Sequence, residues 1–300
     1  MNQNGFDVVY KKKLLDTFNF LIDFLNKNNL RWWGAYGTII GAVRHNGLIP
    51  WDDDIDIWMP REDYEQFLSL NNNLLVASEG NYGIEHLRIN TEYGARFAKV
   101  MDLNTTVQAQ PFIPSVMGIF IDIFPIDSST KDKESIMRIR RNVSDAWSNY
   151  FDYVKHYPLS SLLRKGVIRQ LFEMIRINCK TNRREKQNAL IKALALEKDA
   201  SNTKLDNCKY CFSMYGVYGE RDIFKPEWFN GYKEVSFEDI KIRIPLGYHE
   251  LLTQLYGDYM TPPPPEKRVP RHQPYYANLK ERLSLQEISQ RVKKGETIVY

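Results

Sequence analysis

Four aspartates fall within five residues, Asp52, Asp53, Asp54 and Asp56, and they stand among Trp51, Ile55, Ile57 and Trp58. On an extended chain successive side chains point to opposite faces, so Asp54 and Asp56 share one face and Ile55, Ile57 and Met59 the other. Two carboxylates about 7 Å apart along one face repel each other unless one is protonated or a cation lies between them. A third acid, Asp122, is the one charge in the apolar run from Ile119 to Phe124. An ionised carboxylate in such surroundings is costly unless it is paired, for which Lys99 is a candidate, or holds a metal. Where the two strands are neighbours, Asp54, Asp56 and Asp122 converge, and carboxylate oxygens suit a hard divalent ion such as Mg²⁺ or Mn²⁺. Such a trio supports displacement at phosphorus. The competing reading makes Asp54 and Asp56 a turn cluster before the helix that follows Pro60.

Several elements must position these acids. "LRWWGAY" reads as a strand entering a Gly37-Thr38 turn and a short helix over "TIIGAV"; glycine lets a phosphate approach the backbone, and helix N-terminal amides with a hydroxyl bind it. "DIDIWM" alternates like a half-buried strand. "REDYEQFLSL" is a helix with acids in its first turn, and "YGARFAKVMD" and "MGIFIDIF" are two more strands, the latter buried on both faces apart from Asp122. Upstream, Leu14, Leu15, Phe18, Ile22 and Leu25 mark an amphipathic helix ended by "NKNN". This alternation predicts an α/β (α+β) fold, a mixed sheet flanked by helices. A helical insertion or subdomain over 131–205 is expected to separate a catalytic core over 1–130 from a C-terminal part over 206–300 that completes it. That last part holds a hairpin-like pair over "KEVSFEDIKIRIP", a helix over "GYHELLTQLYGDYM" and an extended run through "TPPPPEKRVPRHQP".

The 300 residues are 43% hydrophobic and 26% charged, a folded-protein composition. Apolar runs fall short of the roughly 18 to 20 residues that span a bilayer, and "MNQNGFDVVYKKK" lacks the order of a secretory signal, so a cytoplasmic protein is expected. A net charge of +4 gives no argument for nucleic acid, but its distribution is uneven: residues 161–192 hold nine Lys or Arg against Glu173 and Glu185. Leu163, Val167, Leu171, Phe172 and Ile175 recur there at helical spacing. The basic amphipathic helix they form suits a place on the core with its basic face solvated, or peripheral contact with the inner face of an anionic membrane. Cys208 and Cys211 form a C-x-x-C with Cys179 as the remaining thiol, which excludes a four-cysteine zinc site and favours inert, buried cysteines.

A Gly-Thr turn, an acid-x-acid strand and a third strand acid together resemble the nucleotidyltransferase superfamily. The stretch "GTIIGAVRHNGLIPWDDDIDIWMPREDYEQF" is more specific and resembles the LicD family, the bacterial phosphorylcholine transferases related to fukutin and fukutin-related protein. "FAKVMDLNTT", "GIFIDIFPID", "PEWF" and "IPLGYHELLTQLYGDYMTPPP" resemble later blocks of that family in the same order. The resemblance implies a nucleotidyltransferase-like fold and metal-dependent transfer from a CDP-linked donor, CDP-choline or CDP-ribitol, to a sugar hydroxyl of a teichoic acid or lipopolysaccharide. By position Asp54 and Asp56 match the metal-binding pair, Asp122 the third ligand or general base, and Gly37 and Thr38 the phosphate turn. Arg44 and Lys99 are cationic candidates for the diphosphate; Arg268, Arg271 and His272, on the tail after the prolines, are placed to close over the donor. Choline's quaternary ammonium calls for aromatic faces, and Trp32, Trp33, Tyr36, Trp51 and Trp58 lie near the motif, Trp58 with the strand parity of Asp54 and Asp56. Two competing functions are attachment of NMP to an acceptor by the same acids, and non-catalytic binding of a membrane surface or polyanion through the basic helix.

Overall fold

The computed structural model describes residues 3–157, 168–201, 203–270 and 274–300. Along the chain the helices are α1 (Gln3–Lys27), α2 (Tyr36–His45), α3 (Arg61–Ser69), α4 (Asn71–Ala77), α5 (Lys133–Phe151), α6 (Ile168–Asn178), α7 (Arg183–Ala200), α8 (Tyr248–Tyr256) and α9 (Leu285–Lys293). The strands are β1 (Trp33–Gly34), β2 (Asp56–Pro60), β3 (Tyr82–Glu85), β4 (Ala98–Asp102), β5 (Thr106–Gln108), β6 (Phe120–Ser129), β7 (Tyr210–Ser213), β8 (Ile223–Phe224), β9 (Tyr232–Phe237), β10 (Ile240–Pro245), β11 (Tyr276–Asn278) and β12 (Ile298–Val299). This is the mixed α/β (α+β) architecture that the alternating pattern predicts.

The main sheet has the order β1-β2-β6-β4-β3. β2 runs parallel to β6, while β1, β4 and β3 pair antiparallel to their neighbours. β6 outruns β4, and its C-terminal half pairs with β7, which in turn holds β8. Parallel neighbours need a crossover, here the chain through α3, α4, β3 and β4. The strand expected over "MGIFIDIF" therefore continues through Pro125 to Ser129, far enough to carry a second acid, Asp127. β2 is more deeply set than its alternation implies: Ile57, Trp58, Met59 and Pro60 are all buried, because neighbours lie on both edges and helices on the faces.

α1 buries Leu14, Phe18, Leu21, Ile22 and Leu25 in the main core. It stops where Asn29 takes a left-handed conformation, φ 54°, and the Leu30 N–H bonds the Leu25 carbonyl at 3.0 Å, an ending that asparagine tolerates. Asn46 ends α2 the same way, at φ 55°. A second core joins α5 and α7 through Trp147, Tyr150, Leu190 and Ala193.

Of the basic amphipathic helix, Leu163 and Val167 lie outside the described residues, while Leu171, Phe172 and Ile175 fall on α6; the rest of the basic stretch continues into α7. The chain breaks over 179–182, and Asn182 caps α7 by accepting from the Arg184 and Glu185 N–H groups. Ile177 is buried, but Phe172 is 75% exposed and Ile175 45% exposed, so at those two positions the apolar side of α6 is uncovered. Cys211 is buried in β7, and burial pushes its thiol and that of Cys208 upward, away from reactivity. None of the described helices is long and apolar enough to cross a membrane.

Candidate active site

Register builds the site. Asp56 on β2 stands opposite Asp122 on β6, Asp122 opposite Lys99 on β4, and Lys99 opposite Glu85 on β3. Cross-strand partners point to one face, so four ionisable side chains form a row across four strands. The Lys99 ammonium donates to Asp122 and sits 3.4 Å from the centre of the Phe120 ring. Buried and engaged in this way, Lys99 serves as the partner of Asp122 and is not presented to the cleft as a diphosphate ligand. No side-chain donor reaches the Asp56 carboxylate among the described residues. Burial, reinforced by the charges of Asp54, Asp122 and Asp52, pushes its carboxyl well above the usual range, against the pull of Lys99.

A cleft of about 610 Å³ opens over this row, and Gly37, Arg44, Asp54, Asp56 and Asp122 all line it. The loop before β2 adds acids that the strand pattern does not single out. Carboxylate oxygens of Asp52, Asp53 and Asp54 lie within 4.8 Å of one another. Among the described residues Asp54, Asp56 and Asp122 share the cleft without forming so tight a set.

The turn into α2 is held in an unusual backbone. Tyr36 has φ 43°, a left-handed conformation that costs a non-glycine residue about 1–2 kcal/mol. Its ring packs against Trp58 at 4.7 Å and Phe124 at 5.7 Å, and its hydroxyl donates to Ser213 Oγ at 2.8 Å. A Cβ at Gly37 would sit 2.8 Å from Asp52 Oδ2, so the close approach that glycine permits is made here by a carboxylate. Thr38 is buried, does not line the cleft, and its hydroxyl accepts from the Asp56 N–H at 2.9 Å. It fastens the start of β2 to α2.

Cations gather around Trp51, next in sequence to the acids. Arg44 donates to the Tyr259 carbonyl at 2.7 Å and to His45 Nε2 at 2.9 Å. Arg268 donates to the Pro263 carbonyl at 2.8 Å, and both guanidinium groups flank the Trp51 ring, at 5.9 Å and 5.2 Å. Burial and the charge of Arg268 lower the Arg44 pKa, the sign of two cations drawn together. Arg271 and His272 lie outside the described residues.

Of the five aromatics near the motif, Trp32, Trp33 and Trp58 belong to the core, while Tyr36 and Trp51 line the cleft. Phe97 and Phe124 add to its aromatic wall, and Tyr215, Tyr218, Tyr256 and Tyr259 come from far downstream. The Tyr218 loop is anchored by Asp222, which accepts from the Tyr218 N–H at 2.7 Å and from Arg140 of α5 at 3.0 Å. Nothing in "YGERDIF" marks this clamp, because its partners lie on α5 and α2. Half-buried Tyr10 of α1 was equally unmarked. Burial raises its phenol pKa, and Asp53, Asp54 and Asp122 are near enough to add to the rise.

The family model for the LicD/FKTN/FKRP nucleotidyltransferase domain matches residues 29–163. The lipopolysaccharide cholinephosphotransferase LicD of Haemophilus influenzae is 30% identical over 241 residues, which span 79% of this chain and 84% of that protein. Human ribitol 5-phosphate transferase FKRP is 35% identical over a shorter stretch of 52 residues, 17% of this chain and 10% of FKRP. With a relative of such identity aligned along most of both sequences, this chain belongs to the LicD family.

Proposed function

We propose that the chain is a phosphotransferase that moves phosphocholine from CDP-choline to a sugar hydroxyl of a cell-surface glycan, a lipopolysaccharide or teichoic acid precursor, and releases CMP. The observation that carries this reading is the alignment with a cholinephosphotransferase along 84% of its length, in a chain whose Asp56 and Asp122 stand side by side in one cleft.

Asp54, Asp56 and Asp122, with Asp52, offer hard oxygen ligands, a donor set that fits Mg²⁺ or Mn²⁺. A bound divalent ion offsets charge on the bridging and leaving oxygens of a diphosphate. Arg44 and Arg268 supply positive charge beside Trp51, where the nucleotide end of the donor is placed. Lys99 orients Asp122 so that one carboxylate oxygen is left to accept the acceptor's proton as its hydroxyl attacks the distal phosphorus. Tyr36, Tyr218 and Tyr256 give the head group aromatic faces: Tyr218 and Tyr256 meet edge to face at 5.1 Å, and Tyr36 lies 6.1 Å from Tyr218. A quaternary ammonium, which cannot donate hydrogen bonds, is held by such faces.

The test is a screen of CDP-choline, CDP-ribitol and CDP-glycerol with Mg²⁺ or Mn²⁺, each with and without glycan acceptors. CMP release with CDP-choline as the preferred donor is expected. Preference for CDP-ribitol would move the chain toward the chemistry named for FKRP. Release of phosphocholine with CMP left on the acceptor would replace head-group transfer by nucleotidyl transfer.

A further inference from the structure

A second cavity of about 430 Å³ adjoins the carboxylate cleft, and Phe97, Tyr215 and Val217 line both. Phe97 is the partition nearest the reacting groups: its ring packs at a tilt against Phe124 at 4.2 Å, and the Lys99 ammonium that holds Asp122 lies 5.3 Å from its centre. The second cavity is thus one aromatic ring away from the Lys99–Asp122 pair. Phe151 adds a further aromatic face.

Two cations enter this cavity, Arg96 and Lys155. Arg96 donates to Ser144 Oγ at 3.1 Å and lies 6.0 Å from the Phe151 ring, and burial lowers its pKa. Neither cation has a carboxylate partner among the described residues, in contrast to Arg61, Arg88 and Arg140, each of which is ion-paired. Partly buried cations left without an anion are costly unless a ligand supplies one. Aromatic walls with a few placed charges are the make-up of a small-molecule site.

We infer that this second cavity seats the acceptor, a sugar unit bearing an anionic substituent, phosphate or carboxylate. Arg96 and Lys155 hold the anion, the sugar ring lies against Phe97, Phe151 and Tyr215, and a hydroxyl passes the edge of Phe97 toward Asp122. The inference rests on the phosphotransfer reading, since it is that reaction which requires an acceptor beside the carboxylates. Uncharged sugars lack what the two cations select.

The probes are N-acetylglucosamine 6-phosphate and uncharged N-acetylglucosamine, titrated into the whole protein with isotope-labelled Ile and Val methyl groups. The phosphorylated sugar shifts the methyl signals of Ile113, Val154 and Val217 and binds at least about tenfold more tightly than the neutral one. In the double variant Arg96→Gln, Lys155→Gln that preference disappears. Equal binding of both sugars to the unaltered protein, or shifts confined to Ile40 and Ile49 in the carboxylate cleft, overturns the inference. In the transfer assay the same variant raises the acceptor KM about tenfold and leaves kcat within about twofold. CMP release with an unchanged acceptor KM sinks the acceptor seat while phosphotransfer stands. Absence of CMP release from every CDP-linked donor, with the cavity still binding sugar phosphate, removes phosphotransfer and the acceptor role with it.

Discussion

Asp122 and Asp127 stand five residues apart on β6 and so face opposite sides of the same sheet. Asp127 is enclosed: Arg61 donates to it through Nε at 2.7 Å and Nη2 at 2.9 Å, and the Ser201 hydroxyl donates at 2.7 Å. Arg61 also reaches Glu197 of α7 at 2.8 Å, so one guanidinium ties β6, α3 and α7. Asp122 has one ammonium and a like-charged neighbour, Asp56. One residue type on one strand therefore does two kinds of work, and the difference is its complement of donors. A carboxylate with both oxygens bound by donors is committed to structure. A carboxylate short of donors remains available for a cation or a proton.

The contrast breaks if the two faces respond alike to substitution. Arg61→Ala, which strands Asp127 and Glu197 in the interior, should cost about 3–5 kcal/mol of stability, read from denaturant unfolding. Asp56→Asn should do the reverse: CMP release falls at least about 10²-fold, while the unfolding midpoint holds or rises because a like charge is gone. A large loss of stability in Asp56→Asn would mean that the cleft acids, too, are structural.

Gly37→Ala sharpens the comparison. The new methyl group displaces the end of the Asp52 side chain, not backbone, so turnover should fall on the order of tenfold with the melting temperature nearly unchanged. An unaltered rate would separate the Asp52 position from the chemistry.

The smallest expected effect concerns a buried group that carries no charge at all. His86 accepts from the Arg88 N–H through Nδ1 at 3.2 Å, and its Nε2 is buried without a partner among the described residues. Burial first, then the Arg88 charge, lowers its pKa from 6.5 to about 3. Between those values the unfolded chain binds a proton that the folded chain refuses, so this contribution to stability is complete above pH 6.5 and fades as pH falls toward 3. His86→Phe should flatten the acid limb of the melting temperature against pH; an unchanged limb would assign the acid sensitivity to other groups.

The carboxylate row was legible because its signal is local. Alternating acids beside apolar residues, and one acid in an apolar run, report strand faces directly. Parity, however, carries no information on depth. Trp58 has the parity of Asp54 and Asp56, yet it is buried against Tyr36, Phe224 and Phe229. Long-range partnerships were not legible either. Arg61 meets Asp127 across 66 positions and Glu197 across 136, and the aromatic wall at Tyr218, Tyr256 and Tyr259 reaches the cleft only through the tertiary fold. Thr38, which suggests a phosphate ligand by its place after Gly37, turns its hydroxyl to the Asp56 backbone instead, a choice fixed by where β2 begins.

The left-handed backbone at Tyr36 has a consequence for biosynthesis. Its hydroxyl is anchored on Ser213, 177 positions downstream, and the rings that wedge it include Phe124. A nascent chain that has left the ribosome only as far as β6 carries the aspartates but lacks the anchor, so the bend can relax and the pocket stays unformed. The full lining of the cleft therefore assembles late in translation, after the residues from Ser213 onward have docked.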